Sequence, residues 1–246
     1  MKLTEYDFSD SAKNIGVSEM SEEYIIKPIA HIYNDLTTKF GVPRQSGLAN
    51  SLISEIVFTP EYRVSDALRG ITDFSHIWLI WSFSEARRDA WSPTVRPPRL
   101  GGNERVGVFA TRSPYRPNSL ALSCVKLLSV EHIDGKGTVL FVAGADLMNG
   151  TPIYDIKPYL PYADSIDGAV GGFAPDGGKQ LEVVDENGAF KILPDEKIDS
   201  LCEILSRDPR PQYHDDEARI YGMAFGGYEV KFRVVGEKIY VVSIIK

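Results

Sequence analysis

Three stretches of the chain concentrate residues that can hold anions or move protons. The first, Gly41-Val42-Pro43-Arg44-Gln45-Ser46-Gly47, presents an arginine and a glutamine from a loop stiffened by proline between two glycines. Arginine offers a planar fork of donors to a carboxylate or phosphate, and glutamine both donates and accepts. The second runs from Thr94 to Asn118 and carries Arg96, Arg99, Arg105, Arg112 and Arg116 among prolines that keep them from swinging freely. The third, Ala145 to Tyr159, gathers Asp146, Asn149, Asp155 and Lys157. Paired carboxylates suit general acid or base work, and a neighbouring lysine suits an anionic group.

Other chemistries are absent from the pattern. There is no GxGxxG after a strand, no GxxxxGK[ST], no HExxH and no GxSxG. His31, His76, His132 and His214 are scattered, so no metal site is expected. His76, in Phe74-Ser75-His76-Ile77-Trp78, reads as a hydrogen-bonded structural histidine at the start of an apolar strand.

The net charge of −7 argues against a nucleic-acid partner until it is mapped along the chain. Residues 1–23 hold six acidic and two basic residues, whereas 87–116 hold seven arginines against Asp89 and Glu104, a local +5. A dense arginine cluster of this kind marks a phosphate or carboxylate site, or else a solvated loop face. No apolar run approaches the ~18 residues that cross a bilayer, so no membrane partner is expected. The acidic N-terminus lacks the layout of a signal peptide, and Cys124 and Cys202 have no CxxC partner; a cytoplasmic location with packed, free thiols is the expectation.

The elements that must position these groups are mainly β. Apolar or alternating runs at Tyr24–Ile32, Leu52–Phe58, Phe74–Phe83, Val106–Thr111, Leu120–Val130 and Thr138–Ala143 read as strands, with a hairpin turn at Asp134–Gly137. Before residue 190 the one helical feature is a short turn around Ser65–Leu68, so βα alternation is missing and a compact antiparallel β-barrel or sandwich fits better. Residues 168–178 hold five glycines, and 168–194 read as a glycine-rich linker after a domain at 24–167. A smaller α+β unit at 195–246 follows. In it Ile198, Leu201, Cys202 and Leu205 fall on one helix face before Pro209, and a hairpin alternates Tyr228, Val230, Phe232 and Val234, turns at Gly236 and returns through Ile239–Ile245. Residues 1–23 read as an acidic, partly disordered extension.

The motifs PRQxGL near residue 43, FSHIWL near 74, TVRPPRLGGN near 94, GVFATRSPxRPN near 107, DLxxGTPIxDIKPYLPYAD from 146 and DPRPQY from 208 resemble the TsaA-like family of tRNA methyltransferases. The resemblance is dense over 24–165 and looser over 195–245. It implies an S-adenosylmethionine-dependent enzyme that methylates N6 of the threonylcarbamoyl-adenosine just 3′ of the anticodon. It also implies a β-barrel core in place of a Rossmann-like fold, with the cofactor near a homodimer interface. The chain departs from the usual RPNPIGLS at Arg116–Ser123, and from DLxDGTP by carrying Asn149, an amide where an acid is usual.

On that footing Arg44 or Arg112 would take the cofactor's carboxylate and Asp146 its ammonium. Pro43 and Asn149 would join the cofactor loops, and main-chain groups at Gln45, Ser84, Glu85, Leu122 and Leu147 would read adenine and ribose. Asp155 or Asp146 would polarise the weakly nucleophilic N6. Lys157, Arg116 or Arg105 would bind the threonyl carboxylate, with Arg96, Arg99 and Tyr159 completing the substrate surface. The rival readings are a noncatalytic nucleoside- or tRNA-binding module and a small-molecule methyltransferase on the same fold.

Overall fold

The computed structural model describes residues 24–85, 90–210 and 216–246. In chain order the strands of the first unit are β1 (Ala30–Tyr33), β2 (Ile53–Phe58), β3 (His76–Ser82), β4 (Thr94–Val95), β5 (Val106–Gly107), β6 (Leu120–Ile133), β7 (Gly137–Ala143) and β8 (Pro152–Pro158), followed by the short helix α1 (Pro161–Asp164). The second unit comprises β9 (Glu182–Asp185), α2 (Asp195–Ser206), β10 (Tyr221–Phe225), β11 (Tyr228–Val235) and β12 (Lys238–Ile245).

Six strands form a closed barrel in the order β1-β2-β7-β6-β3-β8, with β8 pairing back to β1 and every pair antiparallel. Alternation sends Ile77, Leu79 and Trp81 of β3 and Val125 of β6 inward to meet Ile32, Ile56 and Leu140. His76, Trp78 and Ile80 of β3 and Leu122 and Cys124 of β6 consequently face outward. The small hairpin β4–β5 stands apart from the barrel and carries the arginine-rich loop.

The second unit is a four-stranded sheet, β10-β11-β12-β9, whose apolar face packs on α2. Its core does not stop at its own chain segment. Leu36, Ala49 and Leu52 from the first unit are buried in it, Phe40 stacks on Phe232 at 6.3 Å, and Ser51 donates from both its backbone N–H (2.7 Å) and its hydroxyl (3.0 Å) to Glu203 on α2.

Several elements differ from the reading of the sequence. The first strand begins at Ala30 and not at Tyr24, since Tyr24 and Ile25 are exposed and Pro28 has no N–H to offer a ladder. Of Val106–Thr111 only the first two residues pair, and Val108–Ala110 turns as a 3-10 helix. Pro152–Pro158 is a full barrel strand that the sequence pattern concealed, because prolines bound it and Asp155 and Lys157 occupy outward positions. Within the span expected as a linker, Glu182–Asp185 pairs parallel with β12 and Leu181 is buried; sheet order, not glycine content, decides where the second unit starts. Residues 1–23 lie outside the described residues.

Leu36 is 1% exposed and belongs to the core of the second unit although it follows β1. Leu36→Ala should therefore cost about 2–5 kcal/mol, as a buried leucine does when a cavity is left. Urea unfolding followed by circular dichroism checks it, and a loss under ~1 kcal/mol would remove the proposed coupling between the two cores.

Candidate active site

One end of the barrel collects the C-terminal ends of β3 and β7 and the N-terminal ends of β6 and β8. There Gly144 turns the chain out of β7 at φ +80°, and Asp146 follows between Ala145 and Leu147, which are both buried in the barrel core. A Cβ at position 144 would lie 3.0 Å from Asn50 Oδ1 and 3.4 Å from the Gly47 Cα, so glycine is required both for the angle and for the close approach.

Asp146 is held by neighbours that the barrel fixes. Ser123, 1% exposed on the inward side of β6, donates its hydroxyl to Asp146 Oδ1 at 2.5 Å. Trp81 Nε1–H donates in turn to Ser123 Oγ at 2.8 Å, which aims the serine's proton at the carboxylate. Burial pushes the Asp146 pKa above the ordinary carboxylate range. The Ser123 hydroxyl, the backbone N–H groups of Asp146 and Ser46 and the charge of Arg112 pull it partly back.

The three polar stretches meet here. The Gly47 N–H donates to the Gly144 carbonyl at 2.8 Å, clamping the first onto the third. Arg112 donates to Gln45 Oε1, tying the second to the first, while Gln45 Nε2 donates to the Arg44 carbonyl. Beside them lies a cleft of about 220 Å³ with an apolar wall of Val42, Trp81, Phe83 and Met148 and with Asp146, Lys39, Ser84, Glu85 and Thr151 as its polar groups. Lys39 Nζ donates to the Glu85 carbonyl across the cleft edge. Pro43 is buried, and Arg44 is exposed.

Other residues singled out from the sequence are placed elsewhere. Asn149 accepts from the Asn34 backbone N–H at 3.0 Å through Oδ1 and donates its own N–H to the Leu36 carbonyl at 2.8 Å. It borders a second recess of about 660 Å³ between the barrel and α2, where Lys136 pairs with Glu55 and Lys197 with Asp35. Those charges satisfy one another, and Asn149 does not face Asp146. Leu147 is core, its carbonyl accepting from Asn34 Nδ2 at 3.0 Å, and Leu122 is 52% exposed on the outside of β6. Asp155 and Lys157 form a 2.9 Å ion pair on the outer face of β8, beside Tyr159, whose ring lies 5.9 Å from Trp78 and 6.2 Å from His76.

The arginines of the second stretch are mostly outward. Arg96 is exposed, Arg99 stands 3.7 Å from Asp176, and Arg105 donates to Thr94 Oγ1 at 3.0 Å across the β4–β5 hairpin. Arg116 donates to the Thr111 carbonyl at 2.9 Å. Arg87 and Arg88, and residues 211–213 of the DPRPQY motif, lie outside the described residues. Both cysteines are free thiols whose pKa burial raises. Among the described residues no group of three or more His, Cys, Asp or Glu is arranged to hold a metal ion, and no helix is long and apolar enough to cross a membrane.

Trp81, Ser123, Lys39 and Met148 were not marked by the sequence. A signal for two of them exists: strand alternation points Trp81 and Ser123 inward, and a serine at an inward position of an otherwise apolar strand needs a polar partner.

Comparison with known proteins gives the family and the fold. Residues 31–165 match the family model of the tRNA-methyltransferase O N-terminal domain, and residues 193–246 match that of the TrmO C-terminal domain. The chain is 39% identical over 206 residues to a tRNA (adenine(37)-N6)-methyltransferase of Escherichia coli, covering 80% of this chain and 87% of that one. It is 38% identical over 215 residues to a protein of Pseudomonas aeruginosa named "Putative S-adenosylmethionine-dependent methyltransferase RcsF"; 83% of this chain and 90% of that one are covered. The crystal structure of TrmO from Pseudomonas aeruginosa superposes with a TM-score of 0.73 at 28% identity, covering 91% of this chain and all of that one.

Two substitutions test the carboxylate and its support. Ser123→Ala removes a contact that lowers the Asp146 pKa, so that pKa should rise further, read by carbon NMR of the side-chain carboxyl. The same change strands the buried Trp81 N–H and should cost about 1–3 kcal/mol. Asp146→Asn tests the linkage: because folding raises this pKa, the charged form opposes folding once pH exceeds the unfolded value. The stability of Asp146→Asn relative to the parent should then be more favourable at pH 7 than at pH 3 in thermal melts, and a pH-independent difference would contradict the raised pKa.

Proposed function

Since the chain belongs to the tRNA-methyltransferase O family, we propose that it transfers a methyl group from S-adenosylmethionine to N6 of adenosine 37 in tRNA, and that the adenosine it acts on carries the threonylcarbamoyl group. The observation that carries the reading is the meeting of all three polar stretches at one buried carboxylate beside a part-apolar cleft.

The residues present suit the cofactor. Its adenine needs a flat apolar wall, which Trp81, Phe83 and Met148 provide; its carboxylate needs a cation, for which Lys39 and Arg112 are placed. When bound, S-adenosylmethionine supplies a methyl carbon on a positively charged sulfur. Transfer is an in-line displacement, so the protein's work is alignment, exclusion of water and handling of one proton. Asp146 is the group for that proton. A carboxylate with a raised pKa accepts a proton more readily at neutral pH than an exposed one, and N6 of a carbamoylated adenosine is a poor nucleophile until its proton is drawn away. Ser123 and Ser46 keep the carboxylate oriented while it does so.

A cleft of about 220 Å³ is smaller than the ~300–1,000 Å³ that encloses a whole small ligand. A second copy of the chain completes the pocket in this reading, and Leu120 and Leu122, 37% and 52% exposed on the outside of β6, are the apolar surface offered for a homodimer. The threonyl carboxylate would meet Lys157, Arg105 or Arg116, with Asp155 steadying Lys157 through their ion pair. Arg96 and Arg99 would take phosphates, and the enzyme would act where tRNA is, in the cytoplasm.

Purified protein should move labelled methyl from S-adenosylmethionine to tRNA from cells that carry the threonylcarbamoyl modification, and hardly at all to an unmodified transcript. Equal methylation of both would remove the role given to Lys157, Arg105 and Arg116. Affinity for tRNA should fall steeply with salt, at about 0.7–0.9 in logarithmic slope per phosphate contacted. The double substitution of Arg96→Ala with Arg99→Ala should flatten that slope while cofactor binding is unchanged; equal loss of both would place these arginines in the cofactor pocket.

A further inference from the structure

The arginine-rich stretch also carries two large aromatic side chains that the barrel leaves outside. Phe109 is 70% exposed and Trp91 is 50% exposed, yet their rings lie 6.2 Å apart and within 24° of parallel. Neither belongs to the cores of the barrel or the second unit. They are held rigidly all the same. Ser92 N–H donates to the Tyr115 carbonyl at 3.1 Å, Val108 N–H donates to the Pro93 carbonyl at 2.9 Å, and the Ser92 hydroxyl donates to the Thr94 carbonyl at 2.6 Å. The first two bonds join the segment bearing Trp91 to the segment bearing Phe109, and the third closes a turn within the former.

The surroundings are cationic. The Arg116 guanidinium lies 5.9 Å from the centroid of the Phe109 ring and is itself anchored to the Thr111 carbonyl, and between residues 90 and 118 five arginines face one acid, Glu104. A rigid, exposed pair of stacked rings beside arginines complements a partner that is flat, aromatic and negatively charged. Unpaired nucleotides have that chemistry: a π face for the ring and a phosphate for the guanidinium.

We propose that Trp91 and Phe109 form a stacking platform for an unpaired base of the tRNA anticodon loop, a base other than the one that is methylated. The inference rests on the reading of tRNA as substrate. The acceptor adenosine must reach the cleft beside Asp146, and neither Trp91 nor Phe109 lines that cleft, so the base stacked here is a neighbour that fixes the loop while the target is presented. Stacking brings no charge to a phosphate. Its loss has a different signature from the loss of an arginine, because the salt dependence of binding counts phosphates neutralised and is blind to ring contacts.

The experiment uses the full chain and an anticodon stem-loop RNA bearing the modified adenosine, with binding read by fluorescence anisotropy across a salt series. Phe109→Leu keeps an apolar side chain but removes the π face, and should weaken RNA binding about five- to a hundredfold with the salt slope unchanged. Phe109→Trp should restore it, and the affinity for S-adenosylmethionine should be the same in all three proteins. Replacing loop bases one at a time by abasic sites should identify one position at which the parent protein and Phe109→Leu bind equally. Unchanged affinity in Phe109→Leu, or a slope that falls with the affinity, would overturn the platform. A parent protein that sediments as a dimer while Phe109→Leu sediments as a monomer would overturn it too, since the rings would then serve a second copy of the chain. These failures are separable from failure of the tRNA reading, in which the parent protein itself would transfer no methyl to tRNA.

Discussion

A carboxylate placed at the end of a barrel core is the constraint around which this structure is arranged. Taking the charge of Asp146 out of water is costly unless hydrogen bonds and a nearby cation replace its hydration. The replacement comes from four directions: the Ser123 hydroxyl on β6, the backbone N–H groups of Asp146 and Ser46, and the guanidinium of Arg112. The serine's part depends on the register of β3 and β6, because Ser123 reaches Asp146 from the inward side of β6 and Trp81 on the paired strand β3 donates to Ser123. The barrel is therefore more than a frame for exposed loops; its interior hydrogen bonds set the direction of the Asp146 carboxylate and moderate the rise in its pKa.

The second unit acts on the same site through the segment it grips. Residues 36–52 leave β1, pass into the second unit's core with Leu36, Phe40, Ala49 and Leu52, and return at β2. Midway along that excursion stand Arg44, Gln45, Ser46 and Gly47, the loop that bonds to Asp146, Arg112 and Gly144. Both flanks of the loop are thus fixed by burial in α2's sheet domain, and the loop itself keeps the polar residues. Burial at the flanks limits the loop's freedom, and it gives the C-terminal unit a part in the site without any of its side chains lining the cleft.

Much of this was legible from residue types and periodicity, and the rest was hidden for physical reasons. Strands at 53–58, 76–82 and 137–143 announce themselves because they are short runs rich in Val, Ile, Leu, Phe and Trp. The strand at 152–158 does not, since its outward positions hold an ion pair and a bulge opposite Ile80 and Trp81 breaks its alternation. The parallel strand at 182–185 is only four residues long and follows a glycine-rich run, so no local pattern separates it from a linker. In the site, the arginine, glutamine and aspartate types point to Arg112, Gln45 and Asp146. Asp155 looked equally suitable until the register turned it to the barrel's outer face. Trp81 and Ser123 carry no chemical signal as single residue types; their meaning lies in a contact across two strands and a turn.

The same distinction between residue type and residue position governs Asn149. In sequence it stands three residues after Asp146, where relatives of the TsaA-like kind carry an acid, and an amide there would weaken any charge-assisted contact to a cofactor. In the fold, the oxygen at 149 accepts from the Asn34 backbone N–H, and the Asn34 side chain reaches on to Ser54 and the Leu147 carbonyl. That network steadies the turn after Asp146 from the side away from the cleft. An amide oxygen still accepts the backbone N–H of Asn34, without the charge assistance that a carboxylate would add. The exchange of acid for amide therefore preserves the turn while leaving Asp146 the carboxylate of the cleft that is buried deepest against the barrel core.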